Sequence, residues 1–598
     1  MHNTKNHKGE HSPTAKNVSF MVNQHVNIAE NVRNPFNCKV CGNTFQEMQQ
    51  LEMHMQSHKD TLNSSVRKLK VRFQEVADER NKNDQWLNMK SEEVNYAELK
   101  ETPENADLVR AAKDKELANF DEYEAFEEVE YTGQEVLGTR YVLTEKMDGS
   151  IKARFVTKGF QERFSHPSDS PTSSRETIKI FLAIAGNERW DVESSDVRCA
   201  FLQSDTIDRE IYVEPPNERR RPGLVWKLKK PCYGLGDASR KWFISLKNTL
   251  LQLGMTQSKR ESCLFYFHKD NKLEGFLIIH VDDVLSSGSH EFKPIMEKLR
   301  TKYKFGKVEQ NEFVYTGIHI QQNEEKEIFV QQNDFVDNLI ENEFSVEEHD
   351  QLLEKNDNRM VRKTQGQLSW LATQTRPDLS FDSFNLSTML NRAKLRDGKH
   401  ANKVVKKAKQ EKVQLKFSHL GNIEDLHLEL FADASLGNVE AGLHTKSGMG
   451  YFICLANKNL DISPLHWKSC VIDKVAEDIK TAETLALEKA LDDAIHISNL
   501  ITEIYTGEAT KNSLPIIANE DSNSLIESIY STKKVKRKTM RVVVSSIQQH
   551  LQNKILTEVQ HVKSKDNIAD VFTKAGVNTN RVLDVLKNGS LLYKNDEE

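Results

Sequence analysis

Between about residues 115 and 345 the chain alternates apolar runs of strand length with stretches of helical period. The strand-like runs are Gly138-Thr-Arg-Tyr-Val-Leu143, Ile211-Tyr-Val213, Leu224-Val-Trp-Lys-Leu228 and Phe276-Leu-Ile-Ile-His-Val281, and the helix-like ones cover 177–185 and 238–253. That mixture predicts an α+β body. A helix-rich connector follows to about 425, and a second alternation of strands and helices runs to about 580. The ends differ in character. Residues 1–34 are polar and rich in His, Asn and Lys, which predicts disorder, and 60–114 are charged, free of glycine and helix-leaning. The divisions expected are therefore 1–34 disordered, 35–59 a small module, 60–114 a linker or helical lead-in, 115–345, 346–425 and 426–580 as folded parts, and 581–598 a tail.

At 598 residues the chain is too long for one core, so several modules are expected. Charged residues make up 29% but the net charge is only −6, so any nucleic-acid face has to be local. Two basic runs qualify: Lys403, Lys406, Lys407, Lys409 and Lys412, and Lys533-Lys-Val-Lys-Arg-Lys538. A solvated helix face explains such runs equally well. The second also suits nuclear import. Seven cysteines, an odd number, argue against a disulfide framework. With no apolar leader and no membrane-length run, the expectation is an intracellular protein, cytoplasmic or nuclear, without a membrane partner.

One motif fixes a metal. Cys38-x2-Cys41-x12-His54-x3-His58, with Phe36, Phe45 and Leu51 between, places two thiolates on a hairpin and two imidazoles one helical turn apart. That is a tetrahedral Zn2+ set, and the segment resembles a ββα Cys2His2 zinc finger. Base contacts in such fingers come from helix positions −1, 3 and 6, here Glu47, Gln50 and Met53. None is basic, which favours a structural or protein-contact role over reading DNA.

Asp282-Asp283 interrupts an apolar run, so two carboxylates sit at the expected tip of a tight hairpin. Their repulsion, roughly 1–4 kcal/mol at contact distance, is relieved by a cation. Divalent metal on carboxylates alone suits phosphoryl transfer, and a pair of metals needs a further carboxylate. Asp196, closing Trp190-Asp-Val-Glu-Ser-Ser-Asp196, is the best candidate, with a helix N-cap as the alternative.

Ser195-Asp-Val-Arg-Cys-Ala-Phe-Leu202, Leu228-Lys-Lys-Pro-Cys-Tyr-Gly-Leu235, His280-Val-Asp-Asp283 and Tyr315-Thr-Gly-Ile-His-Ile320 resemble, in order and spacing, a copia-type retrotransposon reverse transcriptase. Lys152-Ala-Arg-Phe-Val-Thr-Lys-Gly-Phe160 and Thr373-Gln-Thr-Arg-Pro-Asp378 extend the likeness over about 115–390. The resemblance implies fingers and palm over 115–345 and a thumb or connection over 346–425. It implies Asp196, Asp282 and Asp283 as ligands of Mg2+ (or Mn2+), Arg154 and Lys158 on the triphosphate of a dNTP, and Phe201 as the gate against a 2′-hydroxyl. Tyr233 and Gly234 would lie under the templating pair, and the partners would be an RNA template and a DNA primer. Two departures stand out. His280 replaces the family's usual Tyr, and Gly236-Asp-Ala-Ser239 replaces Lys-Gln-Ala-Pro.

A second set of acids follows. Asp433 ends the strand-like Leu428-Glu-Leu-Phe-Ala-Asp433, and Glu483 shares a helix face with Leu487, Leu491 and Ala494. Asp521 follows Ile516-Ile-Ala518, and Asp570 sits in Asn567-Ile-Ala-Asp-Val-Phe-Thr-Lys574. Singly, Asp521 reads as a helix cap and Asp570 as an exposed first-turn acid. Together, the order across strand, helix, strand and helix resembles an α/β ribonuclease H-like domain over 426–580. That likeness implies Mg2+ held by all four and cleavage of RNA in an RNA-DNA hybrid, with His561 and Lys563 nearby.

The leading expectation is an RNA-directed DNA polymerase with ribonuclease H activity. The rival is a zinc-finger interaction protein whose polymerase body is idle. Motifs for an aspartic protease, an integrase or a Cys-x2-Cys-x4-His-x4-Cys knuckle are not found, which suggests a fragment, a fused gene or a co-opted relic.

Overall fold

The computed structural model describes residues 36–37, 44–45, 99–146, 149–163, 166–441, 444–508, 513–533 and 535–592. The chain divides into two compact units, Met1–Met89 and Lys90–Glu598. In the first, Phe36–Asn37 pairs antiparallel with Thr44–Phe45. Cys38, Cys41, His54 and His58, the expected disorder over 1–34 and most of the lead-in lie outside the described residues.

In the second unit a six-stranded sheet runs in the order Thr256–Gln257, Leu264–Lys269, Lys272–His280, Asp283–Gly288, Val192–Val197, Phe305–Gln310. Its period-two pattern sorts side chains to two faces. Phe276, Ile278, Leu285 and Val192 pack on one, against the helix Arg175–Asn187. Leu277, Ile279, Val284 and Val197 pack on the other, with Trp242, Leu246 and Leu250 of the helix Ala238–Gln252 and Leu299 of Lys293–Lys302. Both faces are covered, which is why the central strand reads as an unbroken apolar run. Removing a side chain such as Ile278 would cost about 2–5 kcal/mol.

Glu312–Tyr315, Ile318–Gln322, Ile328–Gln331 and Leu415–Phe417 form a four-stranded sheet. The connector's last strand thus returns to the 115–345 body. The motif Thr373 to Asp378 proves structural: Arg376 donates to both carboxylate oxygens of Asp378 at 2.9 Å and to the carbonyls of Ala408 and Glu411 at 2.9 and 3.0 Å.

The C-terminal sheet has five strands, ordered Ile462–Val471, His444–Ala456, His427–Ala441, Ile516–Glu520, Leu556–His561. The first three are antiparallel, and the last two run parallel to His427–Ala441. The helix Ile479–Thr506 packs on this sheet.

Three boundaries differ from the sequence reading. The lead-in does not stop at 114, because the helix Ala106–Glu122 runs through it, buries Val109, Leu117 and Phe120, and accepts the Phe155 amide on Glu116 at 3.1 Å. Residues 581–592 are no tail. Val582, Val585 and Leu586 of the helix Asn580–Asn588 are buried, and Gly589 O accepts the Ile462 amide at 2.8 Å. Nor do 115–345 and 426–580 keep separate cores. Ile178, Phe181 and Ile184 join Tyr451, Trp467 and Ile501 in one cluster, because the helix Arg175–Asn187 is apolar nearly all round and must be covered on every side.

Candidate functional site

The strands Lys272–His280 and Asp283–Gly288 are joined by Val281 and Asp282 alone, with His280 opposite Asp283. Val281 has φ 59°, a left-handed conformation costly for a β-branched residue. Next in the sheet, Asp283 lies opposite Asp196, and the Val197 amide donates to Asp282 O at 2.9 Å. Asp196 is therefore a strand residue, not a helix cap. These pairings bring the half-buried Asp196, Asp282 and Asp283 together, with one ligand atom from each within 4.8 Å of the others.

Around the triad, Phe201 and Tyr233 rings meet at 4.9 Å, and the Arg154 guanidinium lies 5.2 Å over Tyr233. Burial, helped by the charge of Asp282, pushes the Tyr233 phenol well above its ordinary range against the pull of Arg154. Gly234 has φ 92°, and a Cβ there would sit 1.9 Å from Thr157 O, so only glycine lets this segment dock on the strand Ile151–Thr157. Lys158, one residue beyond that strand, runs its side chain alongside Gly138.

The two departures have structural partners. His280 Nδ1 lies 3.3 Å from Ser173 Oγ. Asp237 is buried and takes two hydrogen bonds from Arg209, at 2.6 and 3.0 Å, while Arg209 also donates to Glu162 at 2.7 Å.

The second cluster forms where the helix Ile479–Thr506 crosses the sheet. Asp433, Glu483 and Asp521 bring ligand atoms within 4.8 Å of one another. Asp570 stands outside that trio and is tied to it through Lys574, whose Nζ lies 2.5 Å from Asp570 and 3.3 Å from Asp433. Burial pushes Asp433 up to about 7, opposed by Lys574 and Thr573 and aided by Asp570 and Asp521. Burial, then Glu520, Asp433 and Asp521, push Glu483 up to about 10.

Glu520 is the residue the sequence reading missed. It is 0% exposed, faces this cluster electrostatically, and is held well above the carboxylate range by burial. One signal was available: Ile516-Ile-Ala-Asn-Glu-Asp521 repeats the apolar run ending in two acids seen at Ile278-Ile-His-Val-Asp-Asp283. Of the other candidates, His561 is exposed and lies opposite Glu520 in the parallel pairing.

Residues 123–351 match the family described as reverse transcriptase (RNA-dependent DNA polymerase). Over that stretch the chain is similar to a reverse transcriptase domain. Residues 36–61 match a C2H2-type zinc finger. Similar proteins are copia-type Pol polyproteins. That of transposon RE1 from Arabidopsis thaliana is 34% identical over 164 residues, 26% of this chain and 11% of that protein. That of transposon TNT 1-94 from Nicotiana tabacum is 29% identical over 212 residues, 33% of this chain and 16% of that protein. The Ty1-DR4 Gag-Pol polyprotein of Saccharomyces cerevisiae is 27% identical over 193 residues, 31% of this chain and 12% of that protein. The matches thus span less than a fifth of each relative. Among solved structures, a foamy viral protease-reverse transcriptase in complex with double-stranded DNA aligns with a TM-score of 0.47 and 12% identity, over 76% of this chain and 70% of that one. Among the described residues no helix is long and apolar enough to cross a membrane.

Proposed function

We propose that this chain copies a nucleic-acid template into DNA at its reverse transcriptase domain and cuts the RNA of the resulting hybrid at the second carboxylate cluster. The observation that carries the reading is the meeting of Asp196, Asp282 and Asp283, with ligand atoms within 4.8 Å, inside residues 123–351. Three such carboxylates repel unless a cation joins them, and an all-oxygen set suits Mg2+ or Mn2+. Bound there, two divalent ions would neutralise the attacking and leaving oxygens of an in-line phosphoryl transfer.

The chain's own groups set the geometry. The pairing of Asp283 with Asp196 fixes two ligands on a rigid sheet, and the turn aims Asp282 beside them. Arg154, braced on Tyr233, offers its guanidinium to the triphosphate of a dNTP. Lys158 would add a second cation. Phe201, held against Tyr233, would occupy the room a 2′-hydroxyl needs.

At the second cluster the fit is chemical as well as geometric. Glu483 Oε2 and Glu520 Oε2 are buried with no hydrogen-bond partner, a costly state that a cation would relieve. Asp433, Glu483 and Asp521 would hold the ions, with Glu520 and Asp570 completing the set. The hybrid would be recognised by shape, phosphates and 2′-hydroxyls. Arg537, from the basic run, already reaches Asp478 and Thr481 at the start of the helix that bears Glu483. Cys38, Cys41, His54 and His58 would hold Zn2+.

The test supplies poly(rA), oligo(dT), dTTP and Mg2+ to the purified chain and to Asp282→Ala. Incorporation that disappears in the variant is expected. A labelled RNA-DNA hybrid should be cut by Asp282→Ala but not by Glu483→Ala. The engagement of Asp237 by Arg209, at the position where the family's Gln often contacts nucleotide, favours the second reading, a nucleic-acid or protein scaffold without synthesis; absence of incorporation at every Mg2+ or Mn2+ concentration would select it.

A further inference from the structure

Phe160 is 85% exposed, although it lies one residue from a tightly packed junction. Its loop, the short helix Gly159–Gln161, is pinned on three sides. The Lys158 amide donates to Gly138 O at 2.8 Å, and Gln161 Oε1 accepts the Gly138 amide at 2.8 Å. Gly159 sits so close to the Tyr233-Gly234-Leu235 segment that a Cβ would meet Gly234 O at 2.3 Å. Tyr233, in turn, feels the charge of Asp282.

Scattered exposed apolar residues are ordinary. This one differs in its setting. It is a large ring on a braced loop, next to the segment that backs the first carboxylate triad, with cations on both sides. Lys158 precedes it, and Arg163 follows with 78% of its side chain exposed. Arg163 pairs with Glu135 at 2.9 Å, a surface pair weak enough to exchange for a phosphate. Aromatic rings flanked by cations along a groove are how proteins hold single-stranded nucleic acid without reading its sequence.

We infer that Phe160 is a stacking platform for an unpaired template base just ahead of the polymerising centre, with Arg163 on a flanking phosphate. The inference rests on the polymerase reading for which strand occupies the site. The ring is braced before binding, so little ordering entropy is spent when a base stacks.

The experiment uses the full chain, without dNTPs, and a primer-template carrying 2-aminopurine at the first unpaired template position. Affinity and fluorescence quenching are read for wild type, Phe160→Ala and Phe160→Trp, with a blunt duplex as control. Phe160→Ala should weaken the overhang substrate about tenfold and abolish most of the quenching, while blunt duplex binds as before. Phe160→Trp should restore both. Equal loss on both substrates, or none on either, overturns the platform. Binding needs no turnover, so a chain that stacks the base but fails to incorporate dTTP would sink the polymerase reading and leave the platform standing.

Discussion

Trp242 donates its indole N–H to the carbonyl of Val281 at 2.8 Å, tying a buried helix residue to the turn that carries Asp282. Val281 is held at φ 59°, so the bond offsets part of a strain of about 1–3 kcal/mol at a functional turn.

Trp242→Phe keeps most of the apolar contact and removes that donor. It should cost about 1–3 kcal/mol through the part-buried carbonyl left without its donor and the ring volume lost, and lower kcat for dTTP incorporation more than it raises KM. Denaturant unfolding and steady-state kinetics measure the two effects. Unchanged kcat with reduced stability would mean that the turn keeps its shape without the indole.

The second cluster predicts an inverted pH response. Asp433 at about 7 and Glu483 at about 10 keep protons that the unfolded chain releases near pH 4. Their stabilising contribution is whole below about pH 4 and is lost as pH rises through 7 toward 10. In EDTA, melting temperature should therefore fall between about pH 5 and about pH 9, and Mg2+ should restore more of it at the upper end, with protons released on binding. Glu483→Gln should flatten the trend. A variant that melts with the same pH dependence as wild type would remove Glu483 as its source.

How much of this was legible in the sequence depends on what each residue's signal rests on. The triad was readable because a run buried on both faces broken by Asp282-Asp283 has few other uses, and because Asp196 closes a strand of the same sheet. Glu520 was missed because a single acid before Asp521 looks like strand-end polarity; only the packing of the helix Ile479–Thr506 shows it to be fully buried. The shared core was hidden for a similar reason. A helix apolar nearly all round, such as Arg175–Asn187, says that it is covered, but not that residues 451 and 467 cover it. Lys179 illustrates the consequence: it reaches Thr373 O at 3.1 Å and lies 4.3 Å over the Trp467 ring, two contacts made almost two hundred residues or more away in sequence.

Asp237 supplies a third prediction. Restoring the family's residue by Asp237→Gln would leave Arg209, half-buried with 16% of its side chain exposed, facing Glu162 alone. Breaking one side of a fully buried ion pair costs about 3–5 kcal/mol, and the loss here should be smaller because Arg209 keeps both hydrogen bonds to Glu162. Thermal unfolding should register that loss, and Arg209→Met in the Gln background should recover part of it. A stable Asp237→Gln single variant would show that the Arg209 network contributes little.

The last prediction concerns the two centres together. Glu503, near the end of the helix that begins beside Glu483, is 0% exposed and accepts hydrogen bonds from the Lys259 amide at 2.7 Å and Ser258 Oγ at 3.1 Å. Two residues on, Tyr505 donates to Glu188 at 2.7 Å, and its carbonyl lies 3.1 Å from His268 Nε2. One rigid helix therefore connects the second carboxylate cluster to the sheet that bears the first. If both clusters act on one hybrid, the RNA cut should fall at a fixed distance from the primer end. Glu503→Ala takes the acceptor from the buried Ser258 hydroxyl and the part-buried Lys259 amide, at about 1–3 kcal/mol for the buried group, and should loosen the docking without touching either cluster. The expected result is dTTP incorporation near the wild-type rate with cuts spread over several nucleotides, read on a sequencing gel. Cuts that stay in register in Glu503→Ala would show that the spacing is set by the shared apolar core rather than by this clamp.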